Sequence, residues 1–432
     1  MFPSRFSVPD TPVERTPRLP TIAVVFPALL LPRRQRPGPE SLDEYRARGG
    51  YEGLKRARTA APAALRAVIA DSGLRGRGGA AFPTARKWEL AANAPAAEKF
   101  IVANGGEHEP GSRKDRFLVE QHPHAVLEGL LLAGLATGAT KGWLYLIEDM
   151  HEARASARAA LQELQHAGLL LFPIEIHDGP STYVAGEETA ALNAIEGKQA
   201  KPRKKPPFPG EAGLFGKPTT VNNTETLAHV AWIARHGASA FAAIGTKESK
   251  GTLLFTLGDE VVRPGVYELP FGVSYRQLIE GNGGGMRGGR KVRAVLPAMS
   301  CAFLPAEHLD VPIAYETLRA LGTSPGCGGV RIVDETTDVI TLAIEIAEFF
   351  MAEQCGQCPP CRMETNQFVH ILKAVQQKKG PGYDEKLTKL AEFTRKKGWC
   401  SLIEMAAAPV LSAVKCFPAD FAAAAGRAPQ DS

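Results

Sequence analysis

HAVLEGLLLAGLATGATKGWLYLIEDMHEARASARAALQELQHAGLLLFPIEIHDG, residues 124–179, decides the fold. HAVLEGLLLAGLATGA (124–139) is apolar at helical spacing and GWLYLIE (142–148) is an apolar run of strand length. EARASARAALQELQHAG (152–168) is helical again, and LFPIEIHDG (171–179) closes as a strand. Upstream, KFIVANGG (99–106) reads as one more strand. Strand and helix in alternation predict βαβ units and a parallel sheet, since parallel neighbours need a crossover. Ligands of such sheets bind beyond the C-terminal strand ends. Those ends carry Asn104–Glu109, Glu148–Asp149 and the segment leading to Gly186–Thr189.

Working outward, residues 1–45 are rich in Pro and Arg without a sustained period, which predicts an extended or partly disordered arm. YEGLKRARTAAPAALRAVIADSG (51–73) has helical spacing and stops at Gly73, a plausible C-cap. Between about 250 and 335, short β-type runs (TLLFTLG, GVYEL, VRAVLP, GVRIVD) surround one helix-like piece, SYRQLIEG, and suggest a small α+β domain. After Asp338 the pattern is helical to the end, so a helical bundle contains the cysteine motif. The expected division is an arm at 1–45, an α/β domain at 46–245, a small domain at 246–337 and a helical domain at 338–432.

The chain has 432 residues and a formal charge of +5, from 51 basic against 46 acidic residues, too small an imbalance for a nucleic-acid binder. The longest apolar run, IAVVFPALLL (22–31), is broken by Pro27 and falls short of a membrane span; a mixed-charge flank also argues against a signal peptide. Seven cysteines, odd in number and clustered toward one end, fit a reducing, cytoplasmic setting better than a disulfide framework.

CGQCPPCR (355–362) places Cys355, Cys358 and Cys361 on one tight loop, and Cys400 follows 38 residues later. Four thiolates suit a cubane iron–sulfur cluster. Zinc also takes four thiolates, although its structural sites more often pair two C-x2-C knuckles. Gly356, Pro359 and Pro360 argue against unrelated thiols in a continuous helix. Arg362 either faces the cluster and raises its potential or is an ordinary surface arginine. Cys301, Cys327 and Cys416 lack the spacing and read as core thiols.

LRGRGGAAFPTARKWE (74–89) sets Gly76, Gly78 and Gly79 beside Arg75, Arg77, Arg86 and Lys87, a plausible phosphate or flavin loop but not a Rossmann fingerprint, because a helix precedes it. NGGEHEPGSRKDR (104–116) and YVAGEETAALNAIEGK (183–198) bring carboxylates to strand ends, though Glu187 and Glu188 also suit an ordinary helix start. KPRKKPPFPG (201–210) is a basic loop that either meets a pyrophosphate or is solvated surface. In TTVNNTETL (219–227), Asn222 and Asn223 either pair with a flavin edge or cap the next helix. Together these motifs suggest nucleotide chemistry joined to electron transfer.

From about Gly50 to Phe421 the chain resembles the NADH-binding flavoprotein subunit of bacterial respiratory complex I, a family shared with diaphorase subunits of NAD-reducing hydrogenases and NAD-dependent formate dehydrogenases. LRGRGGAAFPT, EPGSRKDR, GEETA, KPPFP, PTTVNNTETL and CGQCPPCR occur in the family's order. The resemblance implies an α/β fold with a Rossmann-like FMN and NADH domain, a β-grasp domain and a C-terminal helical bundle with one [4Fe–4S] cluster. It implies FMN contacts at Gly76, Gly78, Gly79, Lys87, Asn104, Gly186, Asn222, Asn223 and Thr226. It implies NADH contacts at Phe82, Glu107, Glu109, Tyr183, Glu187, Glu188, Lys205 and Phe208, and cluster ligation by Cys355, Cys358, Cys361 and Cys400. It implies that no protein side chain acts as a base, and that hydride passes from the nicotinamide to FMN and then single electrons to the cluster.

The implied function is the NADH dehydrogenase step of complex I; the alternatives are a soluble diaphorase or a divergent electron-transfer or scaffold subunit. The implied partners are a separate thioredoxin-like [2Fe–2S] subunit and further subunits of a multi-subunit oxidoreductase, with no nucleic acid and no membrane span. The implied location is cytoplasmic, peripheral on the inner face of the cell membrane through those partners. Three positions depart from the family: Gly106 replaces a usual aspartate, His108 a usual serine and Ala81 a usual glycine.

Overall fold

The computed structural model describes residues 28–32 and 38–426. Four strands, β1 (Phe100–Asn104), β2 (Lys141–Ile147), β3 (Ile174–Gly179) and β4 (Thr219–Asn223), form a parallel sheet in the order β3-β2-β1-β4. The chain thus winds outward from β1 to β3 and then returns to the other side of β1. β4 is not evident from apolar periodicity, because only Val221 among its five residues is a large apolar side chain.

Helix Pro123–Thr137 is buried on nearly its whole circumference and packs along helix Thr224–His236. The two approach so closely that a Cβ on Gly129 would lie 1.9 Å from the Leu227 carbonyl oxygen, so only glycine fits there. Helix His151–His166 instead buries the spaced residues Ala153, Ala157, Ala160 and Leu164.

A second, mixed sheet contains β5 (Thr252–Leu257), β6 (Gly265–Pro270), β7 (Val292–Leu296), β8 (Leu304–Pro305) and β9 (Gly329–Asp334) in the order β6-β5-β9-β7-β8. β5 and β9 run parallel; the other pairs are antiparallel, the arrangement of a β-grasp. The SYRQLIEG piece contributes a π-helical turn, Gln277–Asn282. Asp338 accepts hydrogen bonds from the N–H groups of Ile340 and Thr341 and so starts helix Val339–Glu353. Helices Pro359–Gln376, Tyr383–Thr394, Leu402–Cys416 and Pro418–Ala424 complete the bundle around a core that includes Phe350, Phe368, Leu387 and Phe421.

Packing reaches further upstream than an arm ending at residue 45 would have it. Helix Leu42–Ala47 begins at Ser41 with a reciprocal capping box to Glu44. Leu29 and Leu30 are buried, and the backbone N–H groups of Leu29, Leu30 and Leu31 donate to the buried Glu268 carboxylate at 2.9–3.0 Å. The remainder of the arm and of the run at 22–31 lies outside the described residues. Among the described residues, no single helix is long and apolar enough to cross a membrane.

Candidate active site and cysteine pocket

The return of the chain to β4 opens a crevice at the C-terminal ends of β1 and β4, where Asn104 and Asn223 stand side by side in register. Asn104 donates through Nδ2 to the Gly186 carbonyl at 3.0 Å, and its Oδ1 accepts from Gly106 N–H at 3.0 Å. Asn223 takes the capping role: its Oδ1 accepts from Glu225 N–H at 3.0 Å while its Nδ2 donates to Asp115 at 2.9 Å. Asn222 accepts a 2.8 Å hydrogen bond from the buried Trp88 indole. Asn223 lines the crevice as a positioned wall, with its amide already engaged by protein.

Beneath it lies a buried charge network that the sequence does not announce. Lys114 Nζ is 2.9 Å from Glu225, 3.1 Å from Asp115 and 3.3 Å from Asn223 Oδ1. Burial works against both charges of the Lys114–Glu225 pair, yet attraction outweighs it: Lys114 holds the Glu225 carboxyl below its ordinary range, and Asp115 together with Glu225 holds the Lys114 ammonium above its own. Residues more than a hundred positions apart in sequence thereby fix the end of β4.

The glycine loop folds back on itself as a hairpin, with Gly76 N–H donating to Phe82 O and Thr84 N–H to Leu74 O. Gly78 lies against Asn223, where a Cβ would be 3.3 Å from the asparagine Cβ, and Gly79 adopts φ +104°. Thr226 accepts from Arg77 N–H at 2.9 Å and ties the loop to the helix after β4. Arg77 is no phosphate cation. Its buried guanidinium turns inward to the carbonyls of Thr252, Lys250 and Arg75 and stacks 4.9 Å over Phe271. Ala81 adopts φ +54°, a left-handed backbone that costs a residue with a Cβ about 1 kcal/mol.

The predicted NADH contacts fall into two groups. In the first, Glu187 caps helix Glu188–Ile195 through Thr189 and Ala190 N–H and meets Lys205 Nζ at 2.8 Å; Glu188 meets Lys87 at 2.9 Å and Lys205 at 3.6 Å. Burial raises the Glu188 pKa, but the two lysines outweigh it and hold the carboxyl below its usual range. Phe82 and Phe208 are exposed, leaving two ring faces open for stacking. In the second group, Glu107 turns inward, accepting from Ser112 Oγ at 2.6 Å and from the N–H groups of Asp115 and Arg116. Glu109 accepts 2.9 Å from Tyr183 Oη; the Met299 and Ser300 backbone approaches the same carboxylate, but its second oxygen meets no donor in hydrogen-bond geometry. Burial pushes the Glu109 carboxyl up to about 7 despite these neighbours.

In the helical domain Cys355, Cys358, Cys361 and Cys400 line one pocket with Val184, Gln354, Gly398, Trp399, Leu402 and Ile403. Cys358 sits immediately before the Pro-Pro start of helix Pro359–Gln376, and Gly356 at φ +82° turns the chain back between the first two thiols. Donors surround the sulfurs: Trp399 N–H lies 3.4 Å from Cys358 Sγ, and Gln357 Nε2 lies 3.5 Å from Cys355 Sγ while also donating to Pro202 O at 2.9 Å. Burial pushes the Cys361 thiol up to about 12 and Cys400 to about 11, so a metal cluster displaces protons as it binds. Arg362 is exposed, as an ordinary surface arginine would be. Cys301 is buried, and Cys327 stands behind Gly79.

Four soft ligands around one pocket fit an iron–sulfur cubane, and a glycine-walled crevice at a sheet switch point fits a flavin nucleotide. These two sites define an electron-transfer flavoprotein with an iron–sulfur centre. Family models agree: one described as Nuo51 FMN-binding domain matches residues 69–232, and one described as NADH-ubiquinone oxidoreductase-F iron-sulfur binding region matches residues 341–424. The second NADH-quinone oxidoreductase F subunit of Rhizobium meliloti is 38% identical over 411 residues, covering 92% of this chain and 98% of that protein. The NADP-reducing hydrogenase component HndC of Solidesulfovibrio fructosivorans is 38% identical, covering 89% and 81%. Among solved structures, the NAD+-reducing [NiFe]-hydrogenase in the air-oxidized state superposes with a TM-score of 0.78 at 33% identity, over 88% of this chain and 67% of that one. The chain belongs to the family of NADH-quinone oxidoreductase F subunits.

Proposed function

We propose that the chain is an NADH dehydrogenase subunit that binds NADH against FMN in the crevice at β1 and β4 and delivers electrons to a [4Fe–4S] cluster held by Cys355, Cys358, Cys361 and Cys400. The observation that carries this reading is the short segment Tyr183–Glu188. Its Val184 lines the cysteine pocket and its Glu187 and Glu188 meet the lysines of the nucleotide side, so the two sites share one connecting turn. Tyr183 N–H donates to Glu353 at 2.7 Å, and its ring packs on Phe349 and Phe350, which locks that turn to the helical domain.

When bound, FMN supplies the change from a two-electron hydride to single electrons. The chain's own groups bind and orient. Lys87 and Lys205 hold anionic groups, in exchange for the carboxylates they pair with when the site is free. Glu187 and Glu188 accept from ribose hydroxyls and repel a 2′-phosphate, favouring NADH over NADPH. Phe82 and Phe208 stack on the rings. Gly76, Gly78, Gly79 and Gly186 allow the backbone to approach the flavin, and Asn104, Asn222, Asn223 and Thr226 fix the crevice walls. Glu107, Glu109 and Tyr183 close its inner end.

The partners in this reading are a thioredoxin-like [2Fe–2S] subunit that takes electrons onward and the other subunits of a complex I-type assembly on the cytoplasmic face of the membrane. A hydrogenase-type diaphorase is the second reading, favoured by the similarity to HndC and to the NAD+-reducing hydrogenase. The test is an anaerobic NADH titration of the full chain reconstituted with FMN, iron and sulfide. Bleaching of both the flavin band and the cluster absorbance is expected; a cluster that forms beside an unbleached flavin defeats the NADH reading.

A further inference from the structure

One side chain touches both the cysteine loop and the nucleotide side. Gln357, the second spacer residue of the Cys355–Cys358 turn, points its amide nitrogen at Cys355 Sγ at 3.5 Å and at the Pro202 carbonyl oxygen at 2.9 Å. An amide nitrogen carries two hydrogens, so it can serve a sulfur and a carbonyl at once. Pro202 belongs to the basic loop 201–210, whose Lys205 meets Glu187 and Glu188.

The connection continues beyond Pro202. Its carbonyl shares one peptide group with the Arg203 N–H, which donates to Thr189 Oγ1 at 2.8 Å. Thr189 Oγ1 donates in turn to Glu187 Oε2, and the other Glu187 oxygen accepts from Lys205 Nζ at 2.8 Å. An unbroken chain of donors and acceptors thus runs from the Lys205–Glu187 pair through Thr189, the Pro202–Arg203 peptide and Gln357 to a cysteine sulfur. Members of such a chain polarise one another, so a change of charge at one end is felt at the other. Thr189 and Pro202 are buried, and the Arg203 guanidinium is pinned to Asn193 and the Gly213 carbonyl, so the path has a fixed geometry. Cys400, whose thiol is pushed up chiefly by burial, also feels the Glu187 charge.

We propose that Gln357 is a positioning residue that couples nucleotide occupancy at the Lys205–Glu187 pair to the reduction potential of the cluster, through one amide shared by Cys355 Sγ and the nucleotide loop. This rests on the cluster and NADH readings above. An N–H donor at a ligating sulfur favours the more negative, reduced state and raises the potential. A pyrophosphate that draws Lys205 away leaves Glu187 with more uncompensated charge. Each acceptor along the chain is then strengthened, Gln357 donates more to Pro202 and less to the sulfur, and the potential falls. By reciprocity, reduction of the cluster weakens nucleotide binding and favours release.

The test is a potentiometric titration of the cluster in the full chain reconstituted with FMN, iron and sulfide, read by the paramagnetic signal of the reduced state. It is run without and with saturating ADP-ribose, which carries the pyrophosphate and ribose hydroxyls but no nicotinamide, its binding checked by calorimetry. In the parent, ADP-ribose is expected to shift the reduction equilibrium about threefold toward the oxidised state, ~28 mV for one electron. Gln357→Met keeps the length and removes the donor. With iron content unchanged, its cluster is expected to be about tenfold harder to reduce, ~59 mV, and its ADP-ribose shift to be less than about half the parent's. Thr189→Val cuts the chain far from the cysteine loop; its midpoint should stay within about twofold of the parent's, ~18 mV, while most of the ADP-ribose shift is lost. A methionine variant whose midpoint lies within about twofold of the parent's overturns the sulfur contact. A parent that binds ADP-ribose without a shift, or a valine variant that shifts as the parent does, overturns the coupling even if the methionine variant fails to fold. A parent that assembles no cluster or binds no ADP-ribose brings down the cluster or NADH reading as well, whereas a loaded parent with unaffected variants removes only this assignment.

Discussion

The cysteine pocket and the nucleotide crevice are built on opposite plans. The pocket takes three of its four thiols from the seven residues Cys355–Cys361, and in the proposed cluster site each thiol has no substitute. The crevice gathers its groups from Gly76 to Thr226, and most of its polar atoms are already paired within the protein, as Lys87 with Glu188 and Asn223 with Asp115. A concentrated site fails abruptly when one member is removed. A distributed one loses affinity or stability in steps.

The largest effect should therefore follow Cys358→Ala. The full chain is expected to lose essentially all of its cluster, read as iron content and broad visible absorbance, while FMN affinity stays within about twofold, since the crevice draws its polar contacts from residues outside the cysteine loop. A variant that retains its iron would break the contrast at its root.

Next in size is Arg77→Ala. Three carbonyl oxygens lose their donor and the Phe271 face loses its cation, so unfolding in urea should show a loss of about 3 kcal/mol. FMN binding should weaken as well, because the guanidinium pins the glycine loop to the Thr252 and Lys250 carbonyls. A stable variant with an ordered loop and unchanged FMN affinity would mean that the loop is held elsewhere.

Lys205→Glu sharpens the contrast on the crevice side. It replaces the cation between Glu187 and Glu188 with a third carboxylate. The KM for NADH should rise about tenfold with kcat changing much less, the signature of lost uniform binding. A fall in kcat at constant KM would place Lys205 in the transition state instead.

The same contrast explains what sequence could and could not disclose. The triple-cysteine run was legible because its spacing is local, whereas the fold brings the distant Cys400 to the same pocket, and β1 to β3 were legible because apolar periodicity is local. β4 was not, since TTVNN is mostly polar and is buried by its neighbours rather than by its own pattern. The orientation of Arg77 was illegible for a related reason: an arginine among glycines suggests an anion, and only the carbonyls of β5 and its preceding turn reveal an inward pin. The Lys114–Asp115–Glu225 network joins a helix start to a segment over a hundred residues away, and no local signal marks it. Asn223 caps the helix after β4, one of the two roles its sequence leaves open.

The smallest effect, and the most specific to the crevice, concerns Glu109. Its carboxyl has a folded pKa of about 7 against an ordinary 4.5, raised by burial. Between those values the folded chain keeps a proton that the unfolded chain releases, so this group's contribution to stability falls as pH rises from about 4.5 and levels off above about 7. Glu109→Gln removes that dependence. The full shift would correspond to about 3 kcal/mol, and partial solvent access reduces the expected gain to about 1 kcal/mol at pH ~8, with none at pH ~4. Urea unfolding of parent and variant across this range measures the difference directly. A gap that widens toward alkaline pH locates a buried, reluctantly ionised carboxyl at the inner end of the crevice, where a bound nucleotide must compete with Tyr183 for it; a constant gap would mean that Glu109 is already solvated and that the crevice is open to water at both ends.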